Sequence, residues 1–215
     1  MNSFDSFALL STLKKRLAAL GFTTPTPVQE QIIPTLLENY QQDVHAQAQT
    51  GTGKTLAFGI PLIQAIDTSK KVVQGLVMAP TRELVLQIYE SLKDVAADTG
   101  VIIEPIYGGM PIYRQIESIK RGVHIIIGTP GRINDHLRRG SLHLDKLKVL
   151  VLDEADIMLD MGFREEIDEI LNAAPKHRHI WLFSATVMGG IKQLIASHMS
   201  NVVSVQVAKV QTATP

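Results

Sequence analysis

Short β-type segments alternate with amphipathic segments through most of this 215-residue chain, and the alternation limits the folds open to it. The strand candidates, rich in apolar and β-branched residues, are 75–79, 101–107, 123–128, 148–153, 179–185 and 202–207. The helix candidates are 54–66, 82–97, 111–121, 131–139, 162–173 and 189–199. A repeated strand–helix–strand order predicts an α/β fold, in which helices cover both faces of a parallel twisted sheet and ligands bind at the carboxyl ends of the strands.

The two ends of the chain depart from this pattern. Residues 1–40 carry two helical segments, the first ended by Gly21 and the second opened by proline. We expect them to form an N-terminal cap on a sheet domain of residues 41–207. Residues 208–215 have little apolar content and end in proline, so they are predicted to begin a linker.

The composition excludes several classes of protein. Cysteine is absent, which excludes disulfides, thiol nucleophiles and cysteine metal sites. No apolar run approaches the length of a membrane span, and the N-terminal charge order is the reverse of a secretory signal, so we expect a cytoplasmic chain with no membrane partner. Residues 114–148 hold eight basic and three acidic side chains, whereas 149–170 hold eight acids and one arginine. Neighbouring helix faces often neutralise each other in this way, so charge indicates nucleic acid only weakly.

A glycine-rich segment, AQTGTGKT at 48–55, fits the phosphate-loop pattern with alanine in place of its first glycine. Its glycines would let N–H groups point at phosphate oxygens, Lys54 would reach the β and γ phosphates, and the Thr55 hydroxyl would ligate Mg²⁺. The predicted nucleotide-binding residues of the loop are Ala48, Gln49, Thr50, Gly51, Thr52, Gly53, Lys54 and Thr55. The alternative is an ordinary glycine-rich turn before a helix, and the preceding segment 43–47 is a poor strand by its pattern.

An apolar run ends in carboxylates at 149–156, VLVLDEAD, as expected of a buried strand that delivers an acid to a nucleotide site. Asp153 is predicted to hold Mg²⁺, Glu154 to orient or deprotonate the attacking water, and Asp156 to lock neighbouring polar groups. The alternative is a helix N-cap with favourable charges. The loop and the acids together favour hydrolysis of ATP or GTP, with Lys54, Asp153 and Glu154 as catalytic residues that converge on one triphosphate.

The four residues from Asp153 to Asp156 spell the name of the DEAD-box helicase family, and the chain resembles that family over nearly all of residues 4–207. The resemblance implies a RecA-like domain with a phosphate loop, ATP and Mg²⁺ as cofactors, and RNA as a partner held through its backbone.

The segment GFTTPTPVQ at 21–29 resembles the family's adenine-reading motif. By resemblance, Gln29 bonds the adenine edge, Thr24 adds backbone contacts, and Phe4, 17 positions before the motif begins, stacks on the base. An amide suits adenine because it offers one donor and one acceptor. The alternatives are a helix-capping glutamine and a core phenylalanine, and Phe7 is a second candidate for stacking.

Three segments that follow predicted strands resemble the family's RNA-backbone motifs: APTREL at 79–84, the glycine pair at 108–109 and TPGR at 129–132. The RNA contacts implied by the resemblance are Pro80, Thr81, Arg82, Gly108, Gly109, Thr129, Pro130, Gly131 and Arg132. Hydroxyls, helix N-terminal amides and arginines suit phosphate and 2′-hydroxyl groups, and such contacts hold a strand without reading its sequence. Each residue alone is more often a turn or cap residue.

Ser184 and Thr186 belong to a segment, SAT, that resembles the family motif coupling hydrolysis to RNA binding, which implies a bond to the acidic motif near Asp156. A serine nucleophile is the alternative, but the glycine-flanked elbow of such enzymes is missing. His177 and His179 could suggest a metal pair, although a solvated loop before a strand is the commoner arrangement.

The family's remaining motifs, including the arginine fingers that complete the ATP site, belong to a second RecA-like domain whose motifs this sequence lacks. We therefore expect the chain alone to hydrolyse ATP very slowly and not to unwind duplexes. A motor acting on DNA or protein is an alternative, which equal affinity for ATP and GTP would favour. A non-catalytic binding module is another, which failure to bind nucleotide would favour.

Overall fold

The computed structural model describes residues 3–39, 41–49 and 51–207. Within them lie seven strands: β1 (Val44–Gln47), β2 (Gly75–Met78), β3 (Ile103–Ile106), β4 (Ile125–Gly128), β5 (Val149–Leu152), β6 (His179–Ser184) and β7 (Val203–Gln206). They form one sheet in the order β3-β4-β2-β5-β6-β1-β7, and every neighbouring pair is parallel. The predicted parallel α/β sheet is confirmed.

The helices of the described residues are α1 (Ser11–Ala19), α2 (Pro27–Glu38), α3 (Lys54–Gln64), α4 (Arg82–Ala96), α5 (Ile112–Lys120), α6 (Pro130–Arg138), α7 (Ala155–Asp160), α8 (Arg164–Ala173) and α9 (Gly189–His198), with a short 3-10 helix at Phe4–Ser6. None of these helices combines the length and the apolar character needed to cross a membrane.

Two hydrophobic cores lie on opposite faces of the sheet because successive side chains of a strand point to opposite sides. In β5, Val149 and Val151 pack into the core formed with α1 to α4. Leu150 and Leu152 pack into the core formed with α6 to α9. A strand buried on both faces reads as a continuous apolar run, which is why β5 was recognisable in the sequence.

The N-terminal helices share a core with the sheet. Leu13 and Leu17 of α1 and Ile32 and Ile33 of α2 are fully buried in the same core as α3 and α4. Their bounds agree with the two predicted helices, since Gly21 adopts a left-handed conformation after α1 and proline begins α2. The predicted linker at 208–215 lies outside the described residues.

Three elements were not predicted: β1, α7 and the 3-10 helix. The poor strand pattern of residues 43–47 was misleading, because Val44 and Ala46 are fully buried while β1 pairs with β6 on one side and β7 on the other. Helix α7 is only six residues long and begins within the acidic motif itself. Both elements are fixed by tertiary neighbours rather than by a local period.

Candidate functional site

Every predicted site motif except the adenine-reading segment follows the carboxyl end of a strand, so these motifs lie at one edge of the sheet. The glycine-rich loop follows β1, the acids follow β5 and the SAT segment follows β6, and these three strands are adjacent. The three RNA-type motifs follow β2, β3 and β4, which form the neighbouring part of the sheet. The two groups meet where β2 pairs with β5, with Met78 opposite Leu152.

The glycine-rich loop joins β1 to α3. Gly51 and Gly53 have φ angles of 74° and 94°, in the left-handed region that glycine enters without steric penalty. Gly53 is the N-cap of α3, and no side chain bonds to the first N–H groups of that helix. An uncapped helix N-terminus with donors that point outward is suited to phosphate. Thr50 lies outside the described residues.

The loop begins with Ala48, which is buried and donates its N–H to the Ser184 carbonyl at 3.1 Å. Gln49 is exposed, and its carbonyl accepts from the Thr52 hydroxyl at 2.8 Å. Thr55 is half-buried in the first turn of α3. The start of the loop is thus fixed to the end of β6.

The first turn of α2 and its N-cap residue bind the other end of the loop. The Gln29 amide donates to the Gly53 carbonyl at 3.1 Å, and the Thr26 hydroxyl donates to the Thr52 carbonyl at 2.9 Å. A Cβ at Gly53 would lie 2.7 Å from the Gln29 amide nitrogen, so this position requires glycine for close approach as well as for its φ angle. Thr26 was not singled out in the sequence, although the capping-box spacing of Thr26 and Gln29 could have identified it.

Gln29 also completes the N-cap of α2, because its side-chain oxygen accepts from the Thr26 N–H at 3.0 Å. The alternative role of Gln29, as a helix-capping residue, is therefore observed. The amide keeps one further hydrogen and one further lone pair, and the adenine-reading role stays a prediction. Phe4 and Phe7 are both buried and meet edge to face with centroids 5.8 Å apart, while Thr24 is exposed. Stacking of either ring on a base also stays a prediction.

Lys54 and Asp153 converge at the centre of the site. The Lys54 Nζ lies 3.6 Å from Asp153 Oδ1, and the two residues are only 6% and 3% exposed. Neither atom has a hydrogen-bond partner. Burial raises the pKa of the Asp153 carboxyl, an effect that Lys54 opposes and Glu154 reinforces. Buried charges are normally both paired and hydrogen-bonded, so further ligands would stabilise this pair.

These residues fit a triphosphate with Mg²⁺. Phosphate oxygens would satisfy the Lys54 ammonium and the uncapped N–H groups of α3. A carboxylate and a hydroxyl, from Asp153 and Thr55, are the oxygen ligands that Mg²⁺ prefers, with phosphates and water completing its octahedron. Among the described residues, no group of three or more carboxylates and imidazoles is arranged to hold a metal, so the pair of His177 and His179 gains no support as a metal site.

Glu154 is held in an unusual backbone conformation beside this pair. Its φ and ψ of 53° and 48° are left-handed, which is uncommon for a residue other than glycine. It is the N-cap of α7 but makes no capping side-chain bond, so its half-buried carboxylate stays available. Strained residues of this kind cluster at functional sites because the surrounding fold must hold them.

Asp156 connects the acidic motif to the segment after β6. Its Oδ2 accepts from the Ala185 N–H at 3.1 Å, the Thr186 N–H at 2.9 Å and the Thr186 hydroxyl at 3.0 Å. Ser184 points elsewhere, since its buried hydroxyl lies 3.2 Å from Nε2 of His45 on β1. Burial lowers the pKa of His45, so this contact joins a serine to a neutral ring. His45 was missed in the sequence because β1 itself was not recognised.

The RNA-type motifs border a groove of about 640 Å³. The predicted contacts that line it are Pro80, Arg82, Gly108, Thr129, Gly131 and Arg132. The groove is also lined by four acidic residues, Asp135, Glu165, Glu166 and Glu169, together with Arg138, Asn134 and Phe163. Arg138 is paired with Glu169 through two bonds of 2.9 and 2.6 Å. A cavity of about 670 Å³ at the opposite edge of the sheet contains none of the predicted site residues.

Helix starts account for several of these residues. The Thr81 hydroxyl accepts from the Leu84 N–H at 3.2 Å and so caps α4, whereas Thr129 begins α6 without a side-chain bond. Pro130 is buried in the first turn of α6. The donors at the start of α6 are therefore uncapped and face the groove beside Gly131.

Arg82 and Arg132 differ in their exposure and in their hydrogen bonds within the protein. Arg82 is exposed and its guanidinium lies 4.9 Å from the centroid of the Tyr107 ring, next to Gly109, which has a φ of 85°. The Arg132 side chain is only 13% exposed and is bonded within the protein. The motifs are thus brought together, and Arg82 is the more exposed of the two arginines.

The model of the DEAD/DEAH box helicase family matches residues 26–194. The chain is 44% identical over 215 residues to the DEAD-box ATP-dependent RNA helicase CshA of Geobacillus kaustophilus, covering 100% of this chain and 46% of that protein. It is 47% identical over 199 residues to the protein of the same name from Bacillus licheniformis, covering 93% of this chain and 40% of that one.

Two solved structures are also similar to this chain. A DEAD box protein from Methanococcus jannaschii superposes with a TM-score of 0.91 at 38% identity, over 96% of this chain and 56% of that one. A hypothetical ATP-dependent RNA helicase from Sulfolobus tokodaii superposes with a TM-score of 0.83 at 31% identity, over 92% of this chain and 57% of that one. The chain spans about half the length of the relatives it matches.

Proposed function

Because this chain belongs to the DEAD/DEAH box helicase family, we propose that it is the N-terminal, ATP-binding RecA-like domain of an RNA helicase. It binds ATP and Mg²⁺ where β1, β5 and β6 end, and one RNA strand where β2, β3 and β4 end. The whole protein would couple ATP hydrolysis to RNA binding and local unwinding in the cytoplasm.

The observation that carries this proposal is the buried pair of Lys54 and Asp153, whose Nζ and Oδ1 atoms lie 3.6 Å apart and lack hydrogen-bond partners. Lys54 would bind the β and γ phosphates as a point charge at the start of α3. Asp153 and Thr55 would hold Mg²⁺. When bound, the metal would neutralise charge that develops on the transferred phosphoryl group.

Glu154 is the residue proposed to act on water. Its left-handed backbone places the carboxylate at the start of α7, next to Asp153. There it would orient the attacking water or take its proton. A conformational change at this site would reach β6 through Asp156, because its carboxylate accepts three hydrogen bonds from Ala185 and Thr186, the two residues that follow β6.

The RNA strand is proposed to lie along the groove. Arg82 supplies an exposed cation, the glycine pair allows close approach of the backbone, and the start of α6 supplies uncapped N–H groups. Thr81, Gly109, Thr129 and Gly131 would touch phosphate or 2′-hydroxyl groups by the same chemistry. Such contacts do not read bases, which agrees with a helicase that acts on many sequences.

Selection of ATP would depend on Gln29, Thr24 and an aromatic ring, Phe4 or Phe7. Because Gln29 also bonds the Gly53 carbonyl, the adenine site and the phosphate loop share one side chain. Completion of the active site would require a second RecA-like domain with its arginine fingers, typically worth about 10³ to 10⁵ in rate. The chain spans about half of its relatives, which supports that requirement.

Nucleotide binding and turnover test the proposal separately. Lys54→Ala should weaken ATP binding by more than about tenfold, because it removes a charge-assisted contact, whereas Glu154→Gln should leave binding unchanged. Turnover with RNA and the second domain supplied should stop in both variants. Lys93→Ala and Glu90→Gln are matched controls, since these residues form an exposed pair on α4. Normal ATP affinity in Lys54→Ala would overturn the proposal.

A further inference from the structure

A buried polar network lies beneath the groove, and two of its members belong to none of the predicted motifs. Gln115 of α5 is 3% exposed and His136 of α6 is fully buried. The Gln115 amide donates to the Tyr107 carbonyl at 3.2 Å. Its side-chain oxygen lies 3.0 Å from Arg132 Nη1 and 3.1 Å from His136 Nε2.

The hydrogen-bond pattern fixes the protonation of His136. Since the amide nitrogen of Gln115 donates to a carbonyl, its oxygen must accept from both neighbours. His136 therefore carries a proton on Nε2, and its Nδ1 lies 2.8 Å from the Ser141 hydroxyl, which donates to the His136 carbonyl at 3.2 Å. Burial, reinforced by the charge of Arg132, lowers the pKa of His136 to about 4, so the ring is neutral at physiological pH.

Arg132 links this network to the glycine turn. Its Nη1 also donates to the Met110 carbonyl at 3.0 Å. The Tyr107 and Met110 carbonyls lie on either side of the pair Gly108 and Gly109, so both ends of the turn are held by side chains of α5 and α6. These bonds use only the N–H groups of Nη1, so the N–H groups of Nη2 stay available beside the groove that Arg132 lines.

We propose that Gln115 and His136 are positioning residues for RNA: together with Arg132, they hold the glycine turn at a fixed distance from the first turn of α6. The inference rests on the proposed RNA binding. Two short backbone segments can bind successive groups of one strand only if their separation is set before the strand arrives.

Salt dependence separates a positioning residue from a phosphate contact. Loss of one contact to single-stranded RNA lowers the slope of log affinity against log salt by about 0.7, whereas loss of an uncharged support leaves it unchanged. Binding of fluorescent oligouridine to the chain would be measured over a range of KCl concentrations. Arg82→Gln is the positive control, because Arg82 is exposed at the groove and should lose one contact.

We expect Gln115→Leu to weaken RNA binding by about tenfold and His136→Phe to weaken it less, each with the salt slope unchanged, because Arg132 keeps its charge and its bond to the Met110 carbonyl. The double variant should be no weaker than the weaker single variant, because residues that act as a unit are not additive. ATP affinity should be unchanged, since the nucleotide site lies across the β2–β5 boundary. His136→Phe removes the hydrogen-bonding nitrogens and brings a slightly larger ring, and it tests the same network if Gln115→Leu does not fold.

Each contrary result has a distinct meaning. A slope lowered by about 0.7 in Gln115→Leu would show that a phosphate contact was lost and overturn the positioning role. Unchanged RNA affinity in Gln115→Leu and His136→Phe would also overturn it, while leaving RNA binding itself intact. Absence of RNA binding by the unaltered chain and the second domain together would reject the proposed function and the inference with it.

Discussion

Substitution of Gly53 by alanine tests the most sterically constrained position of the phosphate loop. Its φ angle of 94° is left-handed, and an added Cβ would lie 2.7 Å from the Gln29 amide nitrogen and 3.0 Å from the Thr26 hydroxyl. At 2.7 Å something must move. The Gln29 amide is the group able to do so, but its movement breaks its bond to the Gly53 carbonyl.

The expected destabilisation follows from these contributions. The left-handed conformation costs an alanine about 1–2 kcal/mol, and loss of one neutral hydrogen bond costs about 1 kcal/mol. The lower chain entropy of alanine in the unfolded state offsets about 0.5 kcal/mol. The free energy of unfolding of Gly53→Ala should therefore fall by about 2 kcal/mol, which for a domain of this size lowers the Tm by about 4–8 °C.

Gly51→Ala is the matched control in the same loop. Gly51 has a φ of 74°, but a Cβ there would meet nothing within 4 Å. It should lose only the conformational contribution, about 1 kcal/mol. Both variants would be unfolded with urea without nucleotide, because a Cβ at either position could also touch bound phosphate. Equal destabilisation of the two variants would refute the argument from close approach.

Two further predictions concern single side chains. Asp156→Asn should destabilise the chain by about 1 kcal/mol, because it weakens three hydrogen bonds to one carboxylate oxygen. The control, Asp160→Asn, should change stability by less than about 0.5 kcal/mol. Equal urea midpoints for the two variants would contradict the link from Asp156 to Thr186. Burial lowers the pKa of His136 to about 4, so the ring stays neutral in the folded chain, whereas the unfolded chain takes up a proton below pH 6.5. The free energy of unfolding should therefore fall by up to about 3 kcal/mol as the pH drops from 6.5 towards 4. His136→Phe should flatten that part of the pH profile, and an unchanged profile would show that the ring is not buried in its neutral form.

Much of the fold could be predicted because each central strand carries its own signal. The run from Val149 to Leu152 is apolar throughout since both faces are buried, and this is visible without any neighbour. Strand β1 has no such signal. His45 and Gln47 interrupt it, and only pairing with β6 and β7 makes it a strand.

The site shows the same division. The chain order of the glycine-rich loop and the acids predicted that Lys54 would lie near Asp153, because parallel strands end at one edge, and the distance between them is 3.6 Å. The partners of Arg132 could not be predicted. Gln115 and His136 come from two helices with no shared motif, so their contact appears only when α5 and α6 pack beside β3 and β4.

The strand order makes the RNA-type region an insertion within the nucleotide-binding region. Residues 44–55 and 149–186 carry the proposed nucleotide site, while 75–138, which lie between them in the chain, carry the proposed RNA contacts of the groove. The two regions meet along the pairing of β2 with β5, the packing of α3 against α4, and the packing of α6 against α8, whose acidic residues also line the groove. A chimera that exchanges residues 75–138 with those of a relative would therefore transplant the proposed RNA contacts as a unit, provided that the residues of these three seams are kept.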